Sequence, residues 1–300
     1  MDALRTRVER IQASPDRATH LRNSTCPYCG ANLGDVESTK EHVIGRRFVP
    51  RGALNQQWNL ILQACKECNQ LKAALEDDLS AVSMHAPLVG RTEDRDLIPR
   101  RDAARKARGT SGVREDRGLQ KMKVGGQLMP GVSLSFELVA PPSASAEQIC
   151  GLAQMHIGAL FYLITYDPNR QTGGWWRGAF RVMNWASRSD WGNAVQRTFA
   201  ERVVSWAPRV VAETARGFFR AAIRRDSVEE CWAWALEWNA NYRVLGFFGD
   251  DTAVETRLRQ FPILEKSLIA ESAEGQLRAR LEQPLPMDED KLFMMPESAR

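Results

Sequence analysis

Four of the six cysteines fall in two C-x-x-C pairs, Cys26/Cys29 and Cys65/Cys68, with 35 residues between them. The thiolates of such a tight turn point the same way, and Gly30 after Cys26-Pro-Tyr-Cys29 supplies the backbone freedom the turn needs. Four soft ligands make a tetrahedral structural zinc site. The gap is wider than in a compact zinc ribbon, so a folded excursion is looped out between the two knuckles. A redox C-x-x-C is the alternative, and two such pairs in one region weigh against it. A closed four-thiolate site has no open position, so the metal is expected to hold the fold rather than do chemistry.

The excursion carries polar groups in a fixed order. In S-T-K-E-H-V-I-G-R-R-F-V-P, Glu41 and His42 precede Val43-Ile44, and Phe48-Val49 follows a break at Gly45. This pattern predicts a short strand and a loop. Trp58–Leu62 reads as a second strand, with Asn59 near its start. From about Cys68 to Met84 the period changes, and Leu71, Leu75, Leu79 and Val82 recur as the apolar face of a helix. Asn69 stands at its start and Lys72 one turn on. Glu76 continues that face and is expected to be an exposed acid.

The ordered set of knuckle, acid–His, Asn, knuckle, Asn and Lys resembles the HNH endonuclease (His-Me finger, ββα-metal) superfamily. Within it the resemblance is to a four-cysteine branch with an E-H-V-I segment, and it covers about residues 26–84. It implies an α+β chain with an N-terminal zinc-stapled ββα-metal module. It also implies that His42 is the general base that takes a proton from water, since a neutral imidazole with a pKa near ~6.5 suits that task. Glu41 matches the carboxylate ligand of a catalytic metal, and Asn69 the last motif position, a second ligand. Oxygen ligands favour Mg²⁺ or Mn²⁺. Asn59 matches the residue that braces the histidine loop, and Lys72 is expected to steady a phosphate. Adjacent side chains of a strand point to opposite sides, so a bend near Gly45 or the strand end is expected to let Glu41 and His42 serve one site. Three positions depart from the commonest pattern: Glu41 for Asp, Gly45 for Pro and Asn69 for His. The implied activity is metal-dependent cleavage of nucleic acid, DNA before RNA. The alternatives are a nuclease effector of a toxin or anti-phage system released by a regulatory partner, or a zinc module that binds nucleic acid without turnover.

The rest of the 300 residues sets the context. A net charge of +4 says little alone, but Arg100–Lys123 holds nine Lys or Arg against three acids. That stretch suits a solvated linker and contact with a nucleic-acid backbone about equally. The expected division is a module at 1–86, a basic linker at 87–126 and an α+β domain with an antiparallel sheet at 127–300, assigned to specificity, dimerisation or partner docking. The N-terminus has no apolar signal core, and the cysteine usage suits a reducing cytoplasm. Ile149–Tyr166 is uncharged over 18 residues, but Gln154, His156 and two glycines favour a buried helix over a membrane span. Ser143 or Ser145 is expected to cap it. Residues 1–22 read as an Arg-rich helix and Val132–Leu138 as a strand. Trp176–Trp185 reads as a strand, Trp191–Val211 as a helix and Phe218–Arg225 as extended. Trp232–Phe248 reads as a hairpin turning at Asn239-Ala-Asn241. His156 is expected to be a hydrogen-bonded core residue, His85 a surface one, and Cys150 and Cys231 small hydrophobes. Trp175 and Trp176 are core residues in preference to a base-stacking platform.

Overall fold

The computed structural model describes residues 11–12, 17–84, 121–129, 132–139, 144–272 and 275–294, and the chain is α+β. β1 (Ile11–Gln12) and β2 (Thr19–His20) replace the helix expected over residues 1–22, whose remaining residues up to 16 lie outside the described ones. β2 is extended because it completes an edge: Thr19 N–H donates to Asn59 C=O and Leu21 N–H to Ile61 C=O, each at 2.9 Å. Satisfying backbone donors on a sheet edge outweighs local helix propensity.

β3 (Ser38–His42) runs antiparallel to β4 (Leu60–Cys65), β2 lies parallel on the other side of β4, and α1 (Lys66–Ser83) follows at once. The helix buries the expected face in its second half, through Leu79 and Val82 with Leu75 packed at the edge, but not in its first turn. Leu71 is 56% exposed, whereas Lys72, Glu76, Leu79, Ser80 and Ser83 are buried. The inward stripe has the right period, but its first half is ionic, and Glu76 is not a surface acid.

β5 (Lys121–Met129) and β6 (Val132–Val139) form a hairpin, so the basic linker expected at 87–126 ends inside a strand. Residues 85–120, including His85 and most of the basic stretch, lie outside the described ones. α2 (Ala146–Ile164) begins with a capping box: Ser145 Oγ accepts from Gln148 N–H, and Gln148 Oε1 accepts from Ser145 N–H. Such a box satisfies two otherwise orphaned donors. No helix among the described residues is long and apolar enough to cross a membrane.

The remaining chain builds one sheet. β7 (Ala179–Ser187), α3 (Ala194–Val203), β8 (Ala207–Thr214), β9 (Phe219–Arg225), β10 (Cys231–Trp238), β11 (Tyr242–Gly249) and α4 (Asp251–Leu258) follow in turn. The strand order is β1-β8-β9-β10-β11-β7, antiparallel except for the β1–β8 edge. The helix expected over Trp191–Val211 stops at Val203 and gives way to β8. Pro208 cannot sit inside a helix, and it falls at the bulge of β8, where a missing N–H is tolerated. A last hairpin, β12 (Ser267–Ser272) and β13 (Gly275–Ala279), precedes the C-terminal strap.

β10 is buried on both sides. Trp234, Leu236 and Trp238 face the core that holds α2, and Ala233 and Ala235 face a second core under α3 and α4. The first core is continuous with the N-terminal unit: Phe48, Trp58, Leu60 and Leu62 cluster with Ile157, Leu160, Phe219 and Trp238. The segments 1–86 and 127–300 therefore pack through a common interior. Trp238 joins them, edge-on to Phe48 (5.8 Å) and to His156 (5.9 Å). Trp238→Ala is expected to cost about 3–5 kcal/mol. Urea denaturation followed by far-UV dichroism and by fluorescence checks it, the two probes reporting one shared transition.

Candidate functional site

The two knuckles meet. The sulfurs of Cys26, Cys29, Cys65 and Cys68 lie within 4.8 Å of one another, and Cys29 and Cys65 approach to 3.6 Å. Zn–S bonds near ~2.3 Å in a tetrahedron put sulfurs about 3.8 Å apart. The cluster can therefore hold a metal ion such as zinc. Burial pushes the Cys26 thiol up to about 11 and Cys68 higher still. Cys65 is also penalised by burial, but hydrogen bonds from Cys68 and the other thiols bring it below its ordinary value. Four crowded sulfurs cannot all ionise without a cation between them.

Tyr28, between the first two cysteines, leads into the polar interior. Its hydroxyl donates to Glu41 Oε1 at 2.9 Å, and Lys72 Nζ lies 2.9 Å from the same oxygen. Lys72 also donates to Glu76 Oε1 at 2.7 Å and to the His42 carbonyl at 3.3 Å. An ammonium has three N–H groups, and each has an acceptor here, which is why a lysine 1% exposed is tolerated. Its expected role on a phosphate is not what this arrangement provides. Burial alone would lower the Lys72 pKa, and the two carboxylates more than reverse that. They are not equal partners. Burial raises both, yet the shorter contact to Lys72, with help from His156, holds Glu76 below the ordinary carboxylate range, while Glu41 stays above it.

Glu41 is 3% exposed and faces α1. Both of its hydrogen bonds fall on Oε1. Two residues earlier on the same face, Thr39 Oγ1 receives Asn69 Nδ2 at 2.6 Å, and Lys40 C=O receives it at 3.4 Å. The carbonyl fixes the amide's orientation, because only its nitrogen end can donate there. Asn69 is thus tethered by nitrogen, as Glu41 is tethered by one oxygen.

His42 does not join them. β3 keeps its pairing through His42↔Ile61 and the chain bends only after it, at Val43–Ile44, so alternation sends the imidazole to the opposite face from Glu41. Partial burial, then Arg46 and Lys40, lower its pKa below 6.5, so the ring is neutral at pH 7. His20 pairs with Ile61 from the other side, so it shares this row with His42. Asn59 braces the loop beyond β3: its Oδ1 accepts from Ile44 N–H at 3.1 Å and its Nδ2 donates to Ile44 C=O at 2.8 Å.

Tyr28, Thr39, Glu76 and His156 were not legible as site residues. A Lys–Glu spacing of four on α1 was the one available signal. His156 is a buried core histidine as expected, with Nε2 3.4 Å from Glu76 Oε1. Cys231 is buried and Cys150 half-buried; Trp176 packs on Phe248 at 4.7 Å, while Trp175 is 37% exposed.

No family model matches the chain, nor does any curated protein or solved structure.

Two outcomes are expected. The purified protein should carry zinc by elemental analysis, and Cys68→Ala should carry none and unfold at lower urea. Lys72→Met leaves two buried carboxylates without their cation and should cost about 3–5 kcal/mol in urea denaturation.

Proposed function

We propose that the unit from Cys26 to Ser83 is a ββα-metal nuclease site of HNH type, hydrolysing phosphodiester bonds in nucleic acid, DNA before RNA. The observation that carries this reading is the arrangement about one strand end. Glu41 and Asn69 share the space between β3 and α1, each held by one atom and leaving an oxygen unbonded. The next residue, His42, lies on the other face with a neutral ring. In-line displacement needs a proton acceptor for the attacking water and a separate cation for the departing oxygen, and His42 and the Glu41/Asn69 pair are separate groups at one strand end.

The donor set fits a hard divalent ion such as Mg²⁺ or Mn²⁺, with Glu41 Oε2 and Asn69 Oδ1 as its protein ligands and water completing the shell. Glu41 is also the carboxylate whose charge Lys72 compensates least, so an added cation is electrostatically favoured there. When bound, such an ion offsets the charge that grows on the phosphate and the leaving 3′ oxygen. His42 takes the proton from water and, once charged, is stabilised by the developing anion. Asn59 fixes the loop that orients it, and Lys72 positions Glu41. Arg46 and Lys40 give the surroundings of His42 a positive potential that suits a polyanion. The expected products carry a 5′ phosphate and a 3′ hydroxyl. The near-complete burial of Glu41 favours one second reading, an effector whose site opens when a partner binds.

The test is incubation of the wild type and His42→Ala with plasmid and with single- and double-stranded DNA and RNA, with Mg²⁺, Mn²⁺ or EDTA. Cleavage by the wild type, abolished by EDTA and lowered at least ~10²-fold by His42→Ala, supports the nuclease. A zinc-loaded His42→Ala protein that cuts at the wild-type rate sinks it. Activity only after co-purification with a partner favours the effector. Because burial and neighbouring cations lower the His42 pKa from its ordinary value, the base is mostly neutral by pH 7. The rate should therefore be flat from pH 7 to 8 and fall only on the acid side of 6.5, as a pH profile of kcat/KM will read.

A further inference from the structure

Glu76, the second carboxylate on Lys72, has no part in the reaction above, yet it is 7% exposed and heavily bonded. Its Oε1 accepts from Lys72 Nζ at 2.7 Å and from Gly45 N–H at 3.0 Å, and His156 Nε2 of α2 stands 3.4 Å away. The Gly45 contact ties α1 to the loop that starts three residues after His42. It also explains the glycine. Gly45 is not among the residues with a positive φ, so its backbone does not demand one. A Cβ there would lie 2.1 Å from Glu76 Oε2, so the carboxylate fills the space a side chain would take. A proline, the commoner residue of the resembling family, would also lack the N–H that Glu76 receives.

We propose that Glu76, backed by His156, is a positioning residue: it grips the Gly45 amide and so fixes the loop into which β3 runs directly after His42. The rest of that loop is held from the C-terminal sheet. Asn239 Nδ2 donates to Phe48 C=O at 3.0 Å, and Thr214 Oγ1 to Trp58 C=O at 2.5 Å. The C-terminal part of the chain therefore clamps this loop at two points, and Glu76 of α1 at a third. A buried backbone N–H left without an acceptor is costly, so the oxygen that Glu76 places on Gly45 holds the loop closed.

The proposal's effect on rate rests on the nuclease reading, while its effect on the loop does not, so both are measured. Full-length, zinc-loaded Glu76→Ala, Glu76→Gln and Gly45→Ala are compared with the wild type in DNA cleavage with Mg²⁺ and in hydrogen exchange of the peptide spanning Gly45. Gln keeps an oxygen for the Gly45 amide but drops the charge, and Gly45→Ala keeps the charge but displaces the carboxylate. Glu76→Ala and Gly45→Ala are expected to lower kcat by roughly tenfold or more with KM within about twofold, and to speed loop exchange by roughly tenfold. Glu76→Gln should stay within about threefold of wild type in both, and Gly45→Ala should add nothing in the Glu76→Ala background. If Glu76 serves only to neutralise Lys72, Gln falls as far as Ala and Gly45→Ala is silent; either result overturns the proposal. A wild type that cuts nothing overturns the nuclease reading, and the exchange measurement still decides the clamp.

Discussion

A buried ammonium organises this molecule. Lys72 lies almost wholly out of water and has one acceptor for each of its protons: Glu41 on β3, Glu76 on its own helix, and the carbonyl of His42. Desolvating a charge costs several kcal/mol, and only close, well-aligned partners offset it. Strand, helix and loop can therefore approach one another in one way that satisfies the lysine, which makes the ion pair a device for register as well as a contact. Tyr28 and His156 extend it outward, one into the zinc knuckle and one into α2. With His156 neutral, two carboxylates face one ammonium, and the cluster carries a surplus negative charge. The surplus falls on Glu41, because Glu76 has the closer grip on Lys72 and the support of His156. An interior that leaves one carboxylate under-compensated favours a further cation there, and that is the physical content of assigning Glu41 to a metal.

How far the chain could be read from its residues depended on whether the signal was local. The C-x-x-C pairs, the serine cap of α2 and the Asn239–Asn241 turn are set by a few neighbouring residues, and each stands where expected, the cap falling on Ser145 rather than Ser143. Asn239 and Ala240 adopt positive φ in that turn, which asparagine tolerates better than most. Only the first half of the inner face of α1 differs from expectation, because a periodicity argument sends Leu71 inward and Glu76 to solvent, and the resemblance put Lys72 on a phosphate. Pairing of Lys72 with a distant strand and with its own helix reversed that, and no hydropathy window contains Glu41 and Lys72 together as partners. The helix expected at Trp191–Val211 failed for the opposite reason, since Pro208 was a local stop signal given too little weight. At the N-terminus the extended state of Thr19–His20 is imposed by β4, a partner far along the chain, so local propensity had no means of reporting it.

The candidate residues were legible as a set on one unit of the chain, and their arrangement was not. Glu41, His42, Asn59 and Asn69 all lie on the strand–loop–strand–helix unit, and Asn59 braces the loop through both ends of its amide. The expectation that Glu41 and His42 turn toward one another did not survive the register of β3. Regular pairing through His42 keeps them on opposite faces.

The four-cysteine cluster and the polar interior are then one mechanical system, although they share no ligand. Cys65 ends β4 and Cys68 lies in the first turn of α1, whose N-terminus has no side-chain cap of its own. Cys26 and Cys29 bracket Tyr28. Drawing the four sulfurs together therefore sets two things at once: the start of the helix that presents Asn69 and Lys72, and the position of the tyrosine that holds Glu41. Both donors to Glu41 Oε1 are placed by elements that the cluster pins. Loosening the cluster would free that carboxylate from both sides together, so a metal with no open coordination position still governs the geometry of the site next to it.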